Sequence, residues 1–269
     1  MLKTSIPTPL WNVLRQTYLS ARLLPNLPGA YLHPWRWESL RRLTALKDVH
    51  RGRRAFIIGN GPSLRQTDLS LLRNEFTFGL NRIYLLFPEL GFPTSYLVSI
   101  NDLVIEQCRE EIAALPIPKF LSWRSHRYFE GLVKNREALP TFLYTTYEKP
   151  TFARDARFRL WEGATVTYVA LQLAFHMGFE TVILIGVDHN FVTRGKANQT
   201  VVSEGDDPNH FDPRYFGKGF RWQLPDLETS EIAYRMARRA YEQAGRRVLD
   251  ATIGGKLTVF PKVDYYSLF

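Results

Sequence analysis

The run Arg54-Ala-Phe-Ile-Ile-Gly-Asn-Gly-Pro-Ser-Leu64 governs how the rest of the chain is read. Ala55 to Ile58 is too apolar and β-branched for a half-exposed strand, which predicts a buried parallel strand. Gly59 and Gly61 permit a tight turn and close approach to a ligand, and Pro62 suits the first turn of a helix. Bare amides at such a helix start, together with its dipole, make a site for phosphate or another anion. The turn is not GxGxxG, and no Lys-Ser/Thr follows its second glycine, which weakens both the dinucleotide and the P-loop readings. The expectation is a ligand-binding turn, with a plain strand-turn-helix corner as the alternative.

Short apolar strands alternate with helical stretches from there on, which argues for a Rossmann-like three-layer α/β/α fold with a mostly parallel sheet. Strands are expected at residues 75–80, 95–100, 119–123, 141–144, 181–187 and 247–251, and helices at 67–74, 103–115, 163–177 and 226–244. Asn60, Asn81, Asn101 with Asp102, Asp188 with His189, and Thr252 all fall just past predicted strand ends. That edge of an open α/β sheet is where ligands bind. Neutral donors and acceptors gathered there suit a base, a ribose or a sugar.

Residues 191–221 form a long polar stretch containing Glu204-Gly-Asp-Asp-Pro-Asn-His210 and Tyr215-Phe-Gly-Lys-Gly219. A loop of this length is expected to be functional, and its aromatic residues favour an ordered lid whose glycines let it close over a ligand.

The chain has 269 residues, 45% of them hydrophobic, enough for one large domain with an appendage. The expected division is a basic aromatic helical arm, 1–50, and a nucleotide-donor-binding domain, 51–269, with its lid at about 190–222. The formal charge of +9 is concentrated at the start. Residues 1–54 hold ten Lys/Arg against Glu38 and Asp48, and the remainder is nearly neutral. Leu10, Val13, Leu14, Thr17, Ala21 and Leu24 recur at helical spacing, with Trp11, Tyr18, Arg15 and Arg22 among them. That pattern suits either a helix packed on the domain or contact with an anionic membrane surface. No nucleic-acid motif is present, so no nucleic-acid partner is expected. The single Cys108 excludes an internal disulfide and carries no nucleophile motif. No apolar run reaches 18 residues and the N-terminus lacks the order of a signal peptide, so the expected location is cytoplasmic, with the arm at the inner membrane face.

Taken together, Phe56-Ile-Ile-Gly-Asn-Gly-Pro-Ser-Leu64, Phe78-Gly-Leu-Asn-Arg82, residues 163–179, Val182-Ile-Leu-Ile-Gly-Val-Asp-His189 and Asp207-Pro-Asn-His-Phe211 resemble the bacterial branch of the 6-hydroxymethylpterin diphosphokinase MptE-like family. The core is also similar in part to the small bacterial sialyltransferases that use a CMP-activated sugar. The sialyltransferase resemblance implies a glycosyltransferase in which Asn60 and Asn81 contact the CMP moiety, with Gly59, Gly61, Ser63, Asn101 and Asp188 around it. Thr165 or Thr167 then takes the place of a donor-contacting serine. Those enzymes carry a tyrosine where this chain has His189 and Phe191, and a catalytic histidine near the position of Lys218. His210 or His189 is therefore implied as the base, with Tyr215, Lys218 and Arg221 receiving phosphate charge. The acceptor is a glycan or another hydroxyl compound, and no cofactor is required. The MptE resemblance implies instead an ATP-dependent pterin diphosphokinase needing Mg2+, for which Asp102 and Asp188 are the candidate ligands and Asp206-Asp207 a weaker pair. A non-catalytic nucleotide-binding module is the third reading.

Overall fold

The computed structural model describes residues 27–193 and 195–269, together with Val13, Leu14, Thr17, Tyr18 and Ala21. Helices α1 (Leu27–Leu32) and α2 (Pro34–Leu46) precede β1 (Arg54–Ile58) and β2 (Phe76–Leu80). Next come α3 (Phe87–Leu90), β3 (Tyr96–Ser99), α4 (Asp102–Gln107), α5 (Arg109–Ala114), β4 (Lys119–Ser122) and β5 (Thr141–Leu143). The second half holds β6 (Thr145–Thr146), β7 (Leu160–Trp161), α6 (Val166–His176), β8 (Thr181–Ile185), β9 (Thr200–Val202), β10 (Arg221–Gln223), α7 (Leu227–Gln243) and β11 (Arg247–Asp250).

Seven strands make one parallel sheet in the order β11-β8-β1-β2-β3-β4-β5. Strand order proceeds from β1 to β5 on one side and through β8 to β11 on the other, so it reverses between β1 and β8. The register sets Ile58 beside Gly79 and Ile185, which brings the bends after β1, β2 and β8 level with one another. A crevice at the carboxyl ends of strands flanking such a reversal is the general ligand position of open α/β sheets.

Both faces of the sheet are covered, as the unbroken apolar runs require. Ala55 and Ile57 of β1 join one core with α2, α6 and α7; Phe56 and Ile58 join the other, with α4, α5 and the segment after β8. Helix α6 is buried from Thr167 to His176, because α7 lies over the side turned away from the sheet and Tyr241 donates a hydrogen bond to the Leu171 carbonyl at 2.8 Å. His176 is a core residue whose Nε2 sits 2.8 Å from the Leu43 carbonyl.

Several expected elements differ in detail. The helix expected at 67–74 is only a 3-10 turn, Leu69–Leu72, after Asp68 accepts the Ser70 N–H. The helix expected at 103–115 breaks at the buried Cys108 into α4 and α5. The long lid contains an antiparallel pair, β9 with β10, that periodicity alone did not indicate. Of the arm, Val13, Leu14, Thr17, Tyr18 and Ala21 are helical, and Val13, Leu14 and Tyr18 are exposed; Leu10, Trp11, Arg15, Arg22 and Leu24 lie outside the described residues. Helix α2 is anchored to the sheet edge, where Ser39 Oγ accepts the Phe142 N–H at 2.8 Å and Arg36 donates to the Phe142 and Arg157 carbonyls at 3.2 and 2.8 Å.

Glu38 of α2 is buried and collects three arginines: Arg41 at 2.6 Å, Arg42 at 3.0 Å and Arg136 at 3.5 Å. The Arg41 hydrogen bond outweighs the cost of burial and, with Arg42, lowers the Glu38 pKa from 4.5 to about 2. A folded-state pKa below the unfolded one stabilises the fold fully above pH 4.5, and that contribution is lost as pH falls toward 2. The melting-temperature difference between the parent protein and Glu38→Gln should therefore be steady near neutral pH and shrink across that acid range. A difference that stays constant into acid would remove Glu38 as a charged anchor.

Candidate functional site

The bends after β1 and β8 interlock. Gly59 N–H donates to the Ile185 carbonyl at 2.8 Å and Gly61 N–H to the Gly186 carbonyl at 2.9 Å. A Cβ on Gly59 would lie 2.3 Å from the Gly186 oxygen, and one on Gly61 would lie 1.8 Å from Asp188 Oδ2. Asp188 in turn accepts the Ser63 N–H at 3.1 Å and the Ser63 hydroxyl at 2.6 Å. These contacts overturn the anion-cradle expectation. Residues 62–66 form only a 3-10 turn, and the amides of Gly59, Gly61 and Ser63 are all taken by the protein itself. The glycines serve the approach of the two bends to each other.

A cavity of about 660 Å³ lies beside this junction. It gathers Gly59, Asn60, Gly61, Asn81, Asn101, Asp102, Thr165, Thr167, Asp188, His189, His210 and Tyr215 from the sequence-derived set. Two members fall elsewhere. Ser63 is buried against Asp188, and Lys218 lines a separate shallow hollow of about 450 Å³ with Arg214 and Phe220. Arg221 points to Glu106 at 2.9 Å, so neither cation expected to receive phosphate charge borders the main cavity. Among the described residues no Lys or Arg lines it, whereas Asp102, Glu162, Asp188 and Asp226 do.

The lid forms one wall. Phe211 N–H donates to the Asn60 carbonyl at 2.9 Å, Arg82 donates to the carbonyls of Arg214 and Tyr215, and the Gln107 amide pairs with both N–H and C=O of Arg221 at 2.9 and 2.8 Å. Within it Asp207, nearly inaccessible, lies 2.6 Å from His210 Nδ1. Asp207 also accepts the Asn209 and Phe216 N–H groups at 2.8 and 3.1 Å, so its oxygens serve as acceptors on every side. His210 therefore carries its proton on Nδ1 and leaves Nε2 as the basic nitrogen. Its ring stacks on Tyr215 with centroids 4.0 Å apart. The Tyr215 hydroxyl and Asn60 Oδ1 are both buried and make no well-formed hydrogen bond within the protein; burial outweighs the nearby Asn81 side chain and raises the Tyr215 pKa, keeping it a neutral donor.

His189 has a left-handed backbone, φ 53°, and its Nε2 lies 3.1 Å from Glu231, an arrangement less free to act as a base. Asn101 uses its side-chain oxygen to accept the Leu103 and Val104 N–H groups at the start of α4. Asn81 accepts from Ser99 at 2.9 Å. Thr165 caps α6 and places that helix start on the cavity wall, so the buried 11-residue helix, not the turn at Pro62, brings an N-terminus to the cavity.

At the far end Arg124 lies 3.1 Å from Asp102 and 2.7 Å from Glu162. Burial works against its cation, but Glu162, Tyr147 and Asp102 outweigh that and raise its pKa. Glu162 also accepts from Thr145 at 2.6 Å. Sequence reading missed this network because its members are separated in the chain and sit in no motif; Asp207 was missed as an orienting group although its three-residue spacing from His210 was visible. Asp102 and Asp188 do not fit a magnesium site. The first is matched by Arg124 and Ser122, the second by the Ser63 N–H and hydroxyl.

This fold and cavity define a Rossmann-like α/β protein with a site at the strand-order reversal. The chain belongs to the family described as 6-hydroxymethylpterin diphosphokinase MptE-like, which matches residues 35–194. A solved structure titled "Structure of MAf glycosyltransferase from Magnetospirillum magneticum AMB-1" shares the fold, with a TM-score of 0.50 and 16% identity over 98% of this chain and 43% of that one. The chain thus spans less than half of that protein. A comparison with curated proteins gives no match.

The dyad has a readout independent of turnover. Imidazole 15N shifts should report His210 protonated at Nδ1 and unprotonated at Nε2, and Asp207→Ala should abolish that preference while leaving His189 unchanged. An Nε2-protonated His210 in the parent protein would contradict the assigned geometry.

Proposed function

We propose that the chain is a glycosyltransferase that uses a CMP-activated sugar. The observation that carries this reading is a cavity that sets amides and hydroxyls and an oriented histidine beside four carboxylates, Asp102, Glu162, Asp188 and Asp226, with no Lys or Arg on its wall among the described residues. A nucleotide monophosphate ester carries little charge at its reacting phosphate, whereas ATP brings a triphosphate that favours cationic clamps or magnesium. Asn60 and Asn81 offer groups suited to a base or ribose. The start of α6 at Thr165 to Thr167 faces the phosphate, and its dipole favours that charge.

In this reading His210 Nε2 takes the proton of the acceptor hydroxyl as its oxygen bonds to the anomeric carbon. The glycosidic C–O bond to CMP breaks, and its electron pair leaves on the phosphate. Tyr215 O–H and the α6 N-terminus receive that charge, while Asp207 stabilises the imidazolium. Such a base typically contributes 10²–10⁴-fold. The acceptor is a glycan or another hydroxyl compound, and the transfer needs no metal or further cofactor.

The family description favours pterin diphosphate transfer from ATP as the second reading. Melting curves should separate the two. CMP or a CMP-sugar at about 100 times its dissociation constant should add about 2.7 kcal/mol of stability; a response to ATP with magnesium and none to CMP would reverse the ranking. His210→Ala should lower donor turnover about 100-fold or more while donor binding persists. Turnover undiminished by that change removes His210 as the base, and no turnover in the parent with any donor favours a non-catalytic module. We also propose that the basic arm holds the protein at the cytoplasmic face of an anionic membrane, supported by the charge excess of residues 1–54 and by exposed Val13, Leu14 and Tyr18. Among the described residues no helix is long and apolar enough to cross a membrane.

A further inference from the structure

The folded domain presents a face, built largely from the second half of the 1–50 segment, that the catalytic reading does not use. Tyr31, Leu32, Trp37 and Phe158 are 64, 68, 55 and 67% exposed, although large apolar side chains favour burial. They come from separate parts of the chain and are tied to one place. Trp37 Nε1 donates to the Tyr31 carbonyl at 2.8 Å, and Arg36 Nη2, one residue before Trp37, donates to the carbonyl of Arg157, one residue before Phe158, also at 2.8 Å.

Charge on this face is unbalanced in one direction. Arg41, Arg42 and Arg136 share the single carboxylate of Glu38, and Lys47 and Arg157 share that of Asp155. Three positive charges remain over, and the most exposed carriers, Arg136 and Arg41, keep 85 and 72% of their side-chain surface in solvent. The surplus of positive charge favours an anionic surface, and exposed rings together with arginines suit headgroups outside and acyl chains just beneath.

We propose that this face, formed by α1, the outer side of α2 and the β6–β7 loop at Phe158, docks on an anionic phospholipid bilayer. The proposal rests on the membrane reading of the arm and extends it. The arm supplies attraction, and the rings of the folded domain insert at the headgroup boundary. Because α2 is fixed to the sheet edge through Ser39 and Arg36, docking sets the orientation of the domain on the surface.

The test is co-sedimentation of the full chain with phosphatidylglycerol-containing vesicles and with pure phosphatidylcholine vesicles, alongside three variants with melting curves to verify folding. Trp37→Ala with Phe158→Ala removes the rings, Arg41→Gln with Arg136→Gln removes face charge, and Lys3→Gln with Arg15→Gln and Arg22→Gln removes arm charge. The parent should bind only the anionic vesicles, more weakly as salt rises, and each face variant should lose roughly tenfold or more in partitioning. Face variants that bind like the parent while the arm variant does not overturn the docking face and leave the arm reading intact. A parent that ignores anionic vesicles overturns both. Ring removal that converts a dimer to a monomer in sedimentation velocity, with vesicle binding unchanged, assigns the face to a second copy and also overturns the proposal.

Discussion

Two backbone bends pass so closely at the junction of β1 and β8 that neither tolerates a side chain between them. The closest approaches, at Gly59 to the Gly186 carbonyl and at Gly61 to Asp188, lie far inside van der Waals contact for any added carbon. This constraint explains why glycines bracket Asn60. It also explains the Asp188–Ser63 pair, which ties the turn after β1 to the end of β8. With the two bends locked, Asn60 has its carbonyl bound by the lid and its side-chain oxygen held against the cavity without a partner. The cavity wall is thus a consequence of sheet topology, and the lid is registered on it by the Phe211–Asn60 backbone hydrogen bond together with the Arg82 and Gln107 contacts to the lid backbone.

The same constraint shows how much of the architecture could be read from residues alone. Ala55 to Ile58 and Val182 to Ile185 are apolar on both faces, which only a covered parallel sheet accommodates, so their burial was legible. Asn60, Asn81, Asn101 and Asp188 lie at strand ends in the sequence and meet around one cavity in space, because parallel strands place all carboxyl ends on one side. What stayed hidden depends on partners far along the chain. Nothing near Ser63 announces that Asp188 will occupy its amide and hydroxyl, and the turn at Pro62 looks like a helix start until that carboxylate is in place. The resemblance sets Lys218 at the site, near the position of a catalytic histidine, but in the structure it lines a separate hollow with Arg214 and Phe220.

Asp207 and His210 illustrate a middle case. Their spacing allows the side chains to meet, yet two neighbouring aspartates made either one eligible. The backbone decides: Asn209 and Phe216 donate to Asp207, and Asp206 is left exposed. A carboxyl group held by two amides cannot rotate away, and so fixes both the ring plane and the tautomer of His210. The stack on Tyr215 holds the opposite face of that ring.

The two unpartnered atoms carry the last step of the argument. A buried polar group without a hydrogen bond costs about 1–3 kcal/mol, and this protein holds two of them, Asn60 Oδ1 and the Tyr215 hydroxyl, on the wall of one cavity. Each is held in place by its surroundings: Asn60 by the interlocked bends, Tyr215 by the Arg82 hydrogen bonds to the lid backbone and by the rings of His210, Phe211 and Phe216. A core selected for stability alone would replace them with apolar groups. Their retention beside an oriented imidazole is what a site looks like when a ligand supplies the missing partners, with a donor for the amide oxygen and an oxygen for the phenol. A sugar nucleotide offers both, in its base or ribose and in its phosphate.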